Sequence, residues 1–303
     1  MVRYVGFACT TYTKGWTTNR TFRLANLSEA KLRSAVTANL NDLECILTWM
    51  TRFPSLRLFR IGSSLIPFAS HERFQFDWQE MFGERLRSIA HRFLSFEFRF
   101  SMHPGQYTVL NAPDCSVYRK AVREIIYSCQ VLDAMGLDAS HKVIVHGGGV
   151  YGDKTESLRR LAQRLRCLPE ELRGRIALEH DERCFSFADI VSVCEDVGIA
   201  PVFDWHHDKL LPTPNLERWL RRAKALWNTV PEVHISSQKP GVPLGAHDLF
   251  VDPADVRSLI AALPFVVDLM VEAKAKELAA LRVRNWLRRH DALLSEMPAQ
   301  RTV

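Results

Sequence analysis

Short apolar runs alternate with longer amphipathic stretches along this chain of 303 residues. The apolar runs are predicted to be strands, and examples such as KVIVH (142–146) are continuously apolar, as expected when both faces of a sheet are covered. The predicted strands lie near residues 2–8, 56–61, 97–103, 142–146, 175–179, 200–204, 231–235 and 266–272.

Each predicted strand is followed by a stretch with the periodicity of a helix. In the first of these, Leu32, Val36, Leu40 and Leu43 fall on one face at helical spacing. Several stretches begin at a residue suited to capping a helix, namely Ser28, Asp77, Ser116, Thr155, Ser186, Asn215 and Asp252. The helices are predicted near residues 28–52, 77–94, 116–135, 155–167, 186–197, 215–228, 253–263 and 273–290.

The regular alternation of strand and helix implies a parallel sheet with right-handed crossovers. Eight such units in roughly 250 residues is the size of a closed (β/α)8 TIM barrel, which is the predicted α/β fold. The chain has no linker or compositional break, so a single barrel domain is predicted over residues 1–290, followed by a C-terminal tail at 291–303. In this fold, active sites lie at the carboxyl ends of the strands.

Side chains that suit a divalent metal follow most of the later strands. One such residue alone is more often a helix cap or a structural histidine, but a core does not bury several carboxylates and imidazoles together without a cation. Glu179 and Glu272 are the most informative, because each ends an apolar strand where an unpaired carboxylate is costly. The predicted metal ligands are His103, His146, Glu179, Asp204, His207, His234, His247 and Glu272.

These ligands exceed what one ion can bind, so two or three divalent ions bridged by a carboxylate are predicted. Carboxylate oxygens mixed with imidazoles suit Mn²⁺ or Zn²⁺. We favour Mn²⁺, with Zn²⁺, Co²⁺ and Mg²⁺ as alternatives. The segment DWHH (204–207) contains two histidines that spacing does not separate, and we favour His207 with His206 as the alternate.

The composition is that of an ordinary globular protein, with 47% hydrophobic and 24% charged residues. A formal net charge of +6 favours a polyanionic partner. Seven cysteines without a CxxC pair favour reduced thiols, and the sequence contains no signal-peptide core and no apolar stretch long enough to cross a membrane. A cytoplasmic protein with no membrane partner is therefore expected.

Clustered metals can bind a phosphodiester and lower the pKa of a bound water to about 7, so phosphoryl chemistry is the favoured function. Metal-assisted sugar isomerisation is the alternative. The HGGG segment (146–149) lacks the G-x-G-x-x-G spacing, so no nucleotide cofactor is predicted.

The segment SMHPGQY (101–107) presents Gln106 and Tyr107 after a Pro-Gly turn. An aromatic ring and an amide at such a tip are suited to wedging into a base stack, although a tyrosine there can equally pack under a neighbouring loop. Arg60 is a candidate phosphate contact, and His71 is a candidate to orient water or a phosphate oxygen. The cationic loop KGWTTNRTFR (14–23) suits a nucleic-acid backbone.

Several segments, in order along the chain, resemble the UV-damage endonuclease family. The most specific are TTNRT (17–21), SMHPGQY (101–107) and the ASH that ends FRIGSSLIPFASH (59–71). The resemblance continues through HGGGVYGDK (146–154), EHDER (179–183), DWHH (204–207), VHISSQ (233–238), GAHDLFV (245–251) and VEAKAKE (271–277). It implies a TIM barrel related to endonuclease IV and, more distantly, to xylose isomerases.

The resemblance also implies the activity. The expected enzyme is a metal-dependent repair endonuclease that nicks duplex DNA immediately 5′ of UV photoproducts and leaves a 3′-hydroxyl. It would work in the cytoplasm, associated with the nucleoid when acting. A sugar isomerase or epimerase of the same barrel superfamily and a non-catalytic damage-binding protein are the alternatives.

The resemblance assigns roles to individual residues. One metal would be held by His103, His146 and Glu179. A second would be held by Glu179 as the bridge, with Asp204, His234 and Glu272. His207 and His247 would contribute to a third. The expected catalytic residues are Glu179, His71 and Glu272, and Gln106 and Tyr107 match the pair that probes the DNA opposite the lesion. The expected DNA or lesion contacts are Gln106, Tyr107, Arg60, Asn19, Arg20 and Phe7.

Three positions depart from the family pattern. Phe7 stands where a tyrosine is usual, so any hydroxyl contact there is absent. His180 stands where an asparagine is usual, which changes the side chain next to Glu179. Glu232 replaces a familiar lysine two residues before His234, and whether it binds metal is left open by the sequence.

Overall fold

Parallel strands form a closed barrel in sequence order, and the last strand pairs with the first. The computed structural model describes residues 1–105 and 107–294. The predicted (β/α)8 TIM barrel is confirmed. Its strands are β1 (Val2–Ala8), β2 (Leu56–Ile61), β3 (Arg99–Met102), β4 (Lys142–His146), β5 (Ile176–Glu179), β6 (Ala200–Asp204), β7 (Glu232–Ile235) and β8 (Val267–Val271).

Helices occupy the segments between the strands. Two short helices, the fifth and the seventh, were not predicted. The seventh begins directly after β6 because the Asp204 carboxylate accepts from the backbone N of His207 at 2.9 Å. The helices are α1 (Glu29–Met50), α2 (Trp78–Leu94), α3 (Cys115–Ala134), α4 (Lys154–Arg166), α5 (Glu170–Arg175), α6 (Phe187–Val197), α7 (Trp205–Leu210), α8 (Leu216–Ala225), α9 (Pro253–Ala262) and α10 (Lys276–Arg289).

Four of the seven predicted helix caps are confirmed, two lie two residues too late, and the last helix begins at Lys276 rather than near residue 273. Asp114 accepts from the backbone N of Ser116, and Asp153 caps α4, so Ser116 and Thr155 lie inside their helices. Asn215 does precede α8, but it has a left-handed backbone and no side-chain cap. The caps that form as predicted are Ser28, Asp77, Ser186 and Asp252.

The main hydrophobic core lies between the barrel and the helices. Along β5, Ile176 and Leu178 belong to this core, whereas Ala177 packs in a smaller cluster with residues of β4 and β6. Successive strand residues point to opposite faces, so Glu179 shares a face with Ala177 and points into the barrel. The register then pairs His146 with Glu179 across adjacent strands.

Two sequence predictions concern residues that the structure does not describe. Gln106 and the part of the predicted tail from residue 295 onward lie outside the described residues. Within residues 1–105 and 107–294, no helix is both long enough and apolar enough to cross a membrane.

Candidate metal centre

Glu179, at the end of β5, lies between histidines at the carboxyl mouth of the barrel. Its Oε1 is 2.8 Å from Nδ1 of His234 and 3.8 Å from Nδ1 of His207. Its Oε2 is 2.9 Å from Nε2 of His103 and 3.9 Å from Nε2 of His146. The two oxygens of one carboxylate thus face different histidines, which is the arrangement that a bridging metal ligand needs.

Three groups of side chains bring their candidate ligand atoms within 4.8 Å of one another. Glu179 belongs to all three. The groups are His103, His146 and Glu179; Glu179, Asp204 and His207; and Glu179, His234 and Glu272. The sequence placed Asp204 with His234 and Glu272, whereas the structure groups it with His207.

His247 and His206 are the two candidate histidines that fall outside these groups. Nδ1 of His247 lies 4.0 Å from Oε2 of Glu272, at the edge of the cluster. His206 points towards His247, with ring centroids 5.6 Å apart, and its buried Nε2 has no hydrogen-bond partner. Of the two adjacent histidines, the structure therefore places His207, not His206, beside Glu179.

Backbone carbonyls fix the orientation of two of the histidines. Nδ1 of His103 lies 2.9 Å from the Pro104 carbonyl oxygen, and Nδ1 of His207 lies 2.8 Å from that of His180. A carbonyl oxygen only accepts, so each Nδ1 carries the proton and each Nε2 remains for a metal. This is the usual way in which a protein orients a histidine ligand.

The charges of the site are strongly coupled. Burial alone would raise the pKa of Glu179, but His234, His146 and His103 outweigh burial and hold this pKa well below its usual range. Burial alone would lower the pKa of His234, but Glu179 and Glu272 raise it to about 10. Burial likewise opposes the charged form of His207, yet Asp204 and Glu179 raise its pKa to about 9. The carboxylates of the site therefore stabilise positive charge on the groups beside them.

The donor set fits divalent metal ions. Glu179, Asp204 and Glu232 are at most 1% exposed, and Arg60 is the permanent cation that contacts the described part of this cluster. Oδ2 of Asp204 is buried without a hydrogen-bond partner. Buried carboxylates without enough partners are costly unless a cation neutralises them. Oxygen and imidazole nitrogen ligands together suit ions such as Mn²⁺ or Zn²⁺.

Arg60 lies inside the barrel rather than on its rim. It is 5% exposed, its Nη1 donates to Oε1 of Glu272, and its Nη2 lies 2.7 Å from Nε2 of His234. Glu232 is beside them, with Oε1 3.3 Å from the same Nε2 and 3.2 Å from Oγ of Ser101. The guanidinium of Arg60 thus contacts Glu272 and His234, and its expected contact with phosphate stays a prediction. Glu232 lies beside His234, a candidate ligand.

His180 contacts two of the candidate ligands, Asp204 and His207. Its Nε2 accepts from the backbone N of Asp204 at 3.0 Å, and its ring stacks on Phe203. Burial and the nearby His207 lower the pKa of His180 to about 3, which keeps the ring neutral. The imidazole therefore holds the backbone of one candidate ligand, and its own carbonyl orients another.

Tyr107 and His71 lie together on a different cleft. The Tyr107 side chain is 84% exposed, as a wedge requires, and both residues line a cavity of about 480 Å³. The backbone N of Arg73 donates to Nδ1 of His71 at 3.1 Å. The structure thus places His71 and Tyr107 on one cavity, and the candidate metal groups do not include His71.

The remaining expected DNA contacts differ in accessibility. Phe7 is fully buried and packs edge-on against Trp49 and Phe59, so its expected contact with DNA is corrected: the side chain belongs to the core behind β1. Asn19 is exposed, and its Oδ1 accepts from the backbone N of Ser64 at 2.8 Å. Arg20 is partly exposed and pairs with Asp42 at 2.5 Å.

Comparison with known proteins places the chain among DNA repair enzymes. The family model described as UV-endonuclease UvdE matches residues 4–299. The chain belongs to this family. It is 33% identical over 291 residues to the UV DNA damage endonuclease of Clostridium perfringens, covering 94% of this chain and 70% of that protein. The UV DNA damage endonuclease of Bacillus velezensis is 32% identical over 234 residues, covering 75% of this chain and 73% of that protein.

A solved structure supports the same assignment. The crystal structure of SacUVDE matches this UvdE-family chain with a TM-score of 0.90 at 32% identity, covering 96% of this chain and all of that one. Endonuclease IV from Thermus thermophilus matches with a TM-score of 0.56 at 16% identity, covering 95% of this chain and 99% of that one, and this likeness shows the fold alone. The predicted family and the predicted enzyme class, an endonuclease that hydrolyses phosphodiester bonds, are confirmed.

Loops at the barrel mouth of this UvdE-family protein expose cationic side chains. They follow the carboxyl ends of five strands, and they are Lys14, Arg23, Arg73, Arg183, Lys239 and Lys274. Cations that surround a site attract a phosphate backbone. Glu182, which the strand-end pattern does not single out, lies three residues after Glu179 in the EHDER segment, and its Oε2 is 3.8 Å from Nε2 of His207.

Proposed function

We propose that this protein is a metal-dependent endonuclease that nicks duplex DNA immediately 5′ of UV photoproducts and leaves a 3′-hydroxyl. One observation carries the metal dependence: three groups of candidate ligands share Glu179 at the barrel mouth. We further propose that the site holds two or three divalent ions, with Mn²⁺ preferred. Residues 1–290 would form the nuclease domain.

Divalent ions bound there would neutralise phosphate oxygens and lower the pKa of a water near the scissile phosphorus. Glu179 would bridge two ions, because its two oxygens face different histidines. Arg60 would fix the carboxylate of Glu272 from below. His180 would hold Asp204 and His207 in place through its ring nitrogen and its carbonyl.

Recognition of damage would rely on deformability of the duplex. A photoproduct weakens stacking, so bending and unstacking cost less at a damaged step than at an intact one. Tyr107, which is 84% exposed, would insert into a weakened stack. Together with Gln106 it would probe the bases opposite the lesion, while the cationic loops hold the backbone.

The test is an end-labelled duplex that contains one defined pyrimidine dimer, incubated with the protein and Mn²⁺. A single cut immediately 5′ of the dimer with an extendable 3′-hydroxyl supports the proposal. Equal cutting of an undamaged duplex, or a cut elsewhere, contradicts the substrate or the position. Sugar isomerase activity without nicking would favour the alternative barrel enzyme, and metal-independent binding without cleavage would favour a damage-binding protein.

A further inference from the structure

Glu232 is a buried carboxylate beside the candidate ligands that the proposed reaction has not used. It lies on β7 two residues before His234, so the two side chains point to the same face of the strand. Val233 and Ile235, which alternate with them, pack in the main core between the barrel and the helices. Glu232 and His234 therefore both point into the barrel, where they are 1% and 0% exposed.

One oxygen of Glu232 makes its polar contacts with the described residues. This oxygen, Oε1, lies 3.3 Å from Nε2 of His234 and 3.7 Å from Nη2 of Arg60, and it accepts from Oγ of Ser101 at 3.2 Å. The other oxygen, Oε2, is buried and has no hydrogen-bond partner in the described part of the chain. A buried carboxylate with an unpartnered oxygen costs free energy. Stability of the fold therefore does not account for this side chain.

His234 presents its other ring nitrogen to the candidate metal. Its Nδ1 lies 2.8 Å from Oε1 of Glu179 and 3.4 Å from Oε1 of Glu272, and these three residues form one of the candidate ligand groups. Nδ1 is therefore the nitrogen that would bind an ion shared with the two carboxylates. A nitrogen that binds a metal carries no hydrogen, so the hydrogen of the neutral ring must then lie on Nε2.

Two neighbours of Nε2 require opposite forms of the ring. Nη2 of Arg60 lies 2.7 Å away and can only donate, so it needs a lone pair on Nε2. The carboxylate of Glu232 can only accept, so it needs a hydrogen there. If Nε2 kept the lone pair, Nδ1 would carry the hydrogen, donate it to Glu179 and be unable to bind metal. Metal binding therefore selects the hydrogen bond to Glu232.

Arg60 keeps its carboxylate partners in this form of the ring. Its Nη1 donates to Oε1 of Glu272, and its Nη2 lies 3.7 Å from Oε1 of Glu232. The negative charge of Glu232 thus faces both the guanidinium and the hydrogen on Nε2 of His234. A neutral apolar side chain at this position would leave Arg60 as the neighbour of Nε2 and would favour the form that cannot bind metal.

We propose that Glu232 is a positioning residue that fixes His234 in its metal-binding form by accepting the hydrogen of Nε2. His234 would then bind through Nδ1, whereas His103 and His207 carry their hydrogen on Nδ1 and keep Nε2 for a metal. This inference rests on the proposed metal dependence. It goes further by giving Glu232 a role behind a ligand rather than as a ligand, since the candidate groups of the described residues do not contain it.

The first test compares Glu232→Leu with Glu232→Gln in the full-length protein, by calorimetric titration with Mn²⁺ in the absence of DNA. Leucine removes the acceptor, whereas glutamine keeps an oxygen that can accept from Nε2. We expect Glu232→Leu to bind one equivalent of Mn²⁺ at least about tenfold more weakly than the parent, as is typical when a metal-bound histidine loses its partner. Glu232→Gln should bind this equivalent more tightly than Glu232→Leu does. Glu84→Leu is the control and should bind Mn²⁺ as the parent does, because Glu84 is an exposed carboxylate on α2.

A role in packing alone gives a different result. The free energy of unfolding of the ion-free protein, measured with urea, would then change in Glu232→Leu while the affinity for Mn²⁺ stayed the same. Unchanged affinity in a folded Glu232→Leu variant would overturn the assignment. So would a Glu232→Gln variant that binds Mn²⁺ as weakly as Glu232→Leu, because a glutamine oxygen can still accept the hydrogen bond.

The second test uses the parent protein, so it does not depend on the folding of Glu232→Leu. Zn²⁺ is a diamagnetic ion that suits the same ligands, and ¹⁵N NMR of the Zn²⁺-loaded protein labelled at histidine reports which ring nitrogen carries the hydrogen. The signals of His234 are identified by their absence from His234→Gln. We expect the hydrogen of metal-bound His234 on Nε2. A hydrogen on its Nδ1 would overturn the assignment.

The Mn²⁺ titration separates this inference from the proposed function. If the parent binds Mn²⁺ and nicks the dimer-containing duplex, but Glu232→Leu binds Mn²⁺ as the parent does, only the role of Glu232 fails. If the parent binds no Mn²⁺, the proposed metal dependence fails with it.

Discussion

Replacing Glu179 by glutamine tests the bridging role directly. The substitution keeps the shape of the side chain but removes the charge from the two oxygens that lie 2.8 Å from His234 and 2.9 Å from His103. A hydrogen bond to a charged group contributes about 1.5–3 kcal/mol. If each of the two ions that Glu179 would hold loses one charge-assisted contact of this size, the variant loses about 3–6 kcal/mol, which corresponds to about 10²- to 10⁴-fold in binding or rate.

We expect Glu179→Gln to lower the nicking rate by about 10²- to 10⁴-fold and to reduce bound Mn²⁺ at saturating DNA. The assay is single-turnover cleavage of the end-labelled duplex with one dimer, with metal content measured on the same samples. The loss should affect the catalytic rate rather than DNA binding alone, because Glu179 is 1% exposed and faces the other ligands.

Glu84→Gln is the matched control for this experiment, since it removes one negative charge from the outside of the barrel. Circular dichroism and urea unfolding establish that Glu179→Gln remains folded. A folded Glu179→Gln variant that keeps its Mn²⁺ and nicks at a rate within about threefold of the parent would refute the bridge.

Other predictions concern the metal, the wedge and the charge coupling. EDTA should stop nicking and added Mn²⁺ should restore it. Tyr107→Ala should reduce the preference for dimer-containing over intact duplex by about tenfold, because stacking of a base on an aromatic ring contributes about 1–3 kcal/mol, and Mn²⁺ binding should not change. In EDTA, folding raises the pKa of His207 to about 9 and the pKa of His234 to about 10. Protonation of these two imidazoles therefore stabilises the folded state, and the contribution is complete below pH 6.5. This contribution is lost as the pH rises through 9 to 10. The free energy of unfolding, measured with urea, should therefore decrease less between pH 7 and 10 in Glu179→Gln than in the parent.

Each of these results has a clear contrary outcome. Nicking that persists in EDTA would remove the metal from the mechanism. If Tyr107→Ala keeps its preference for dimer-containing over intact duplex, Tyr107 does not act as a wedge. Phe96→Ala is the control for this variant, because Phe96 is an exposed aromatic residue before β3. Burial lowers the pKa of Lys142 to about 8, so Lys142 makes the folded state more stable as the pH rises, opposite to the two histidines. Both proteins contain Lys142, so its contribution cancels when they are compared. Equal pH slopes in both proteins would contradict the coupling through Glu179.

The sequence determined the architecture and most of the candidate ligands. Apolar runs that each end on an acid or an imidazole predict that these groups share one rim, because parallel strands of a barrel direct their carboxyl ends the same way. The order of strands and helices and the segments that resemble the family were likewise readable without coordinates. Glu179 could be chosen as the bridge only through that resemblance.

The tertiary structure decided which way individual side chains face. Arg60 and Phe7 both lie on early strands, yet Arg60 points into the barrel towards Glu272, whereas Phe7 packs behind β1. His207 rather than His206 reaches Glu179, because the Asp204 cap starts a helix immediately after β6. Glu182 gains its position only when the glycine loop after β7 folds over it. These outcomes depend on contacts between residues far apart in sequence, so local pattern alone could not determine them.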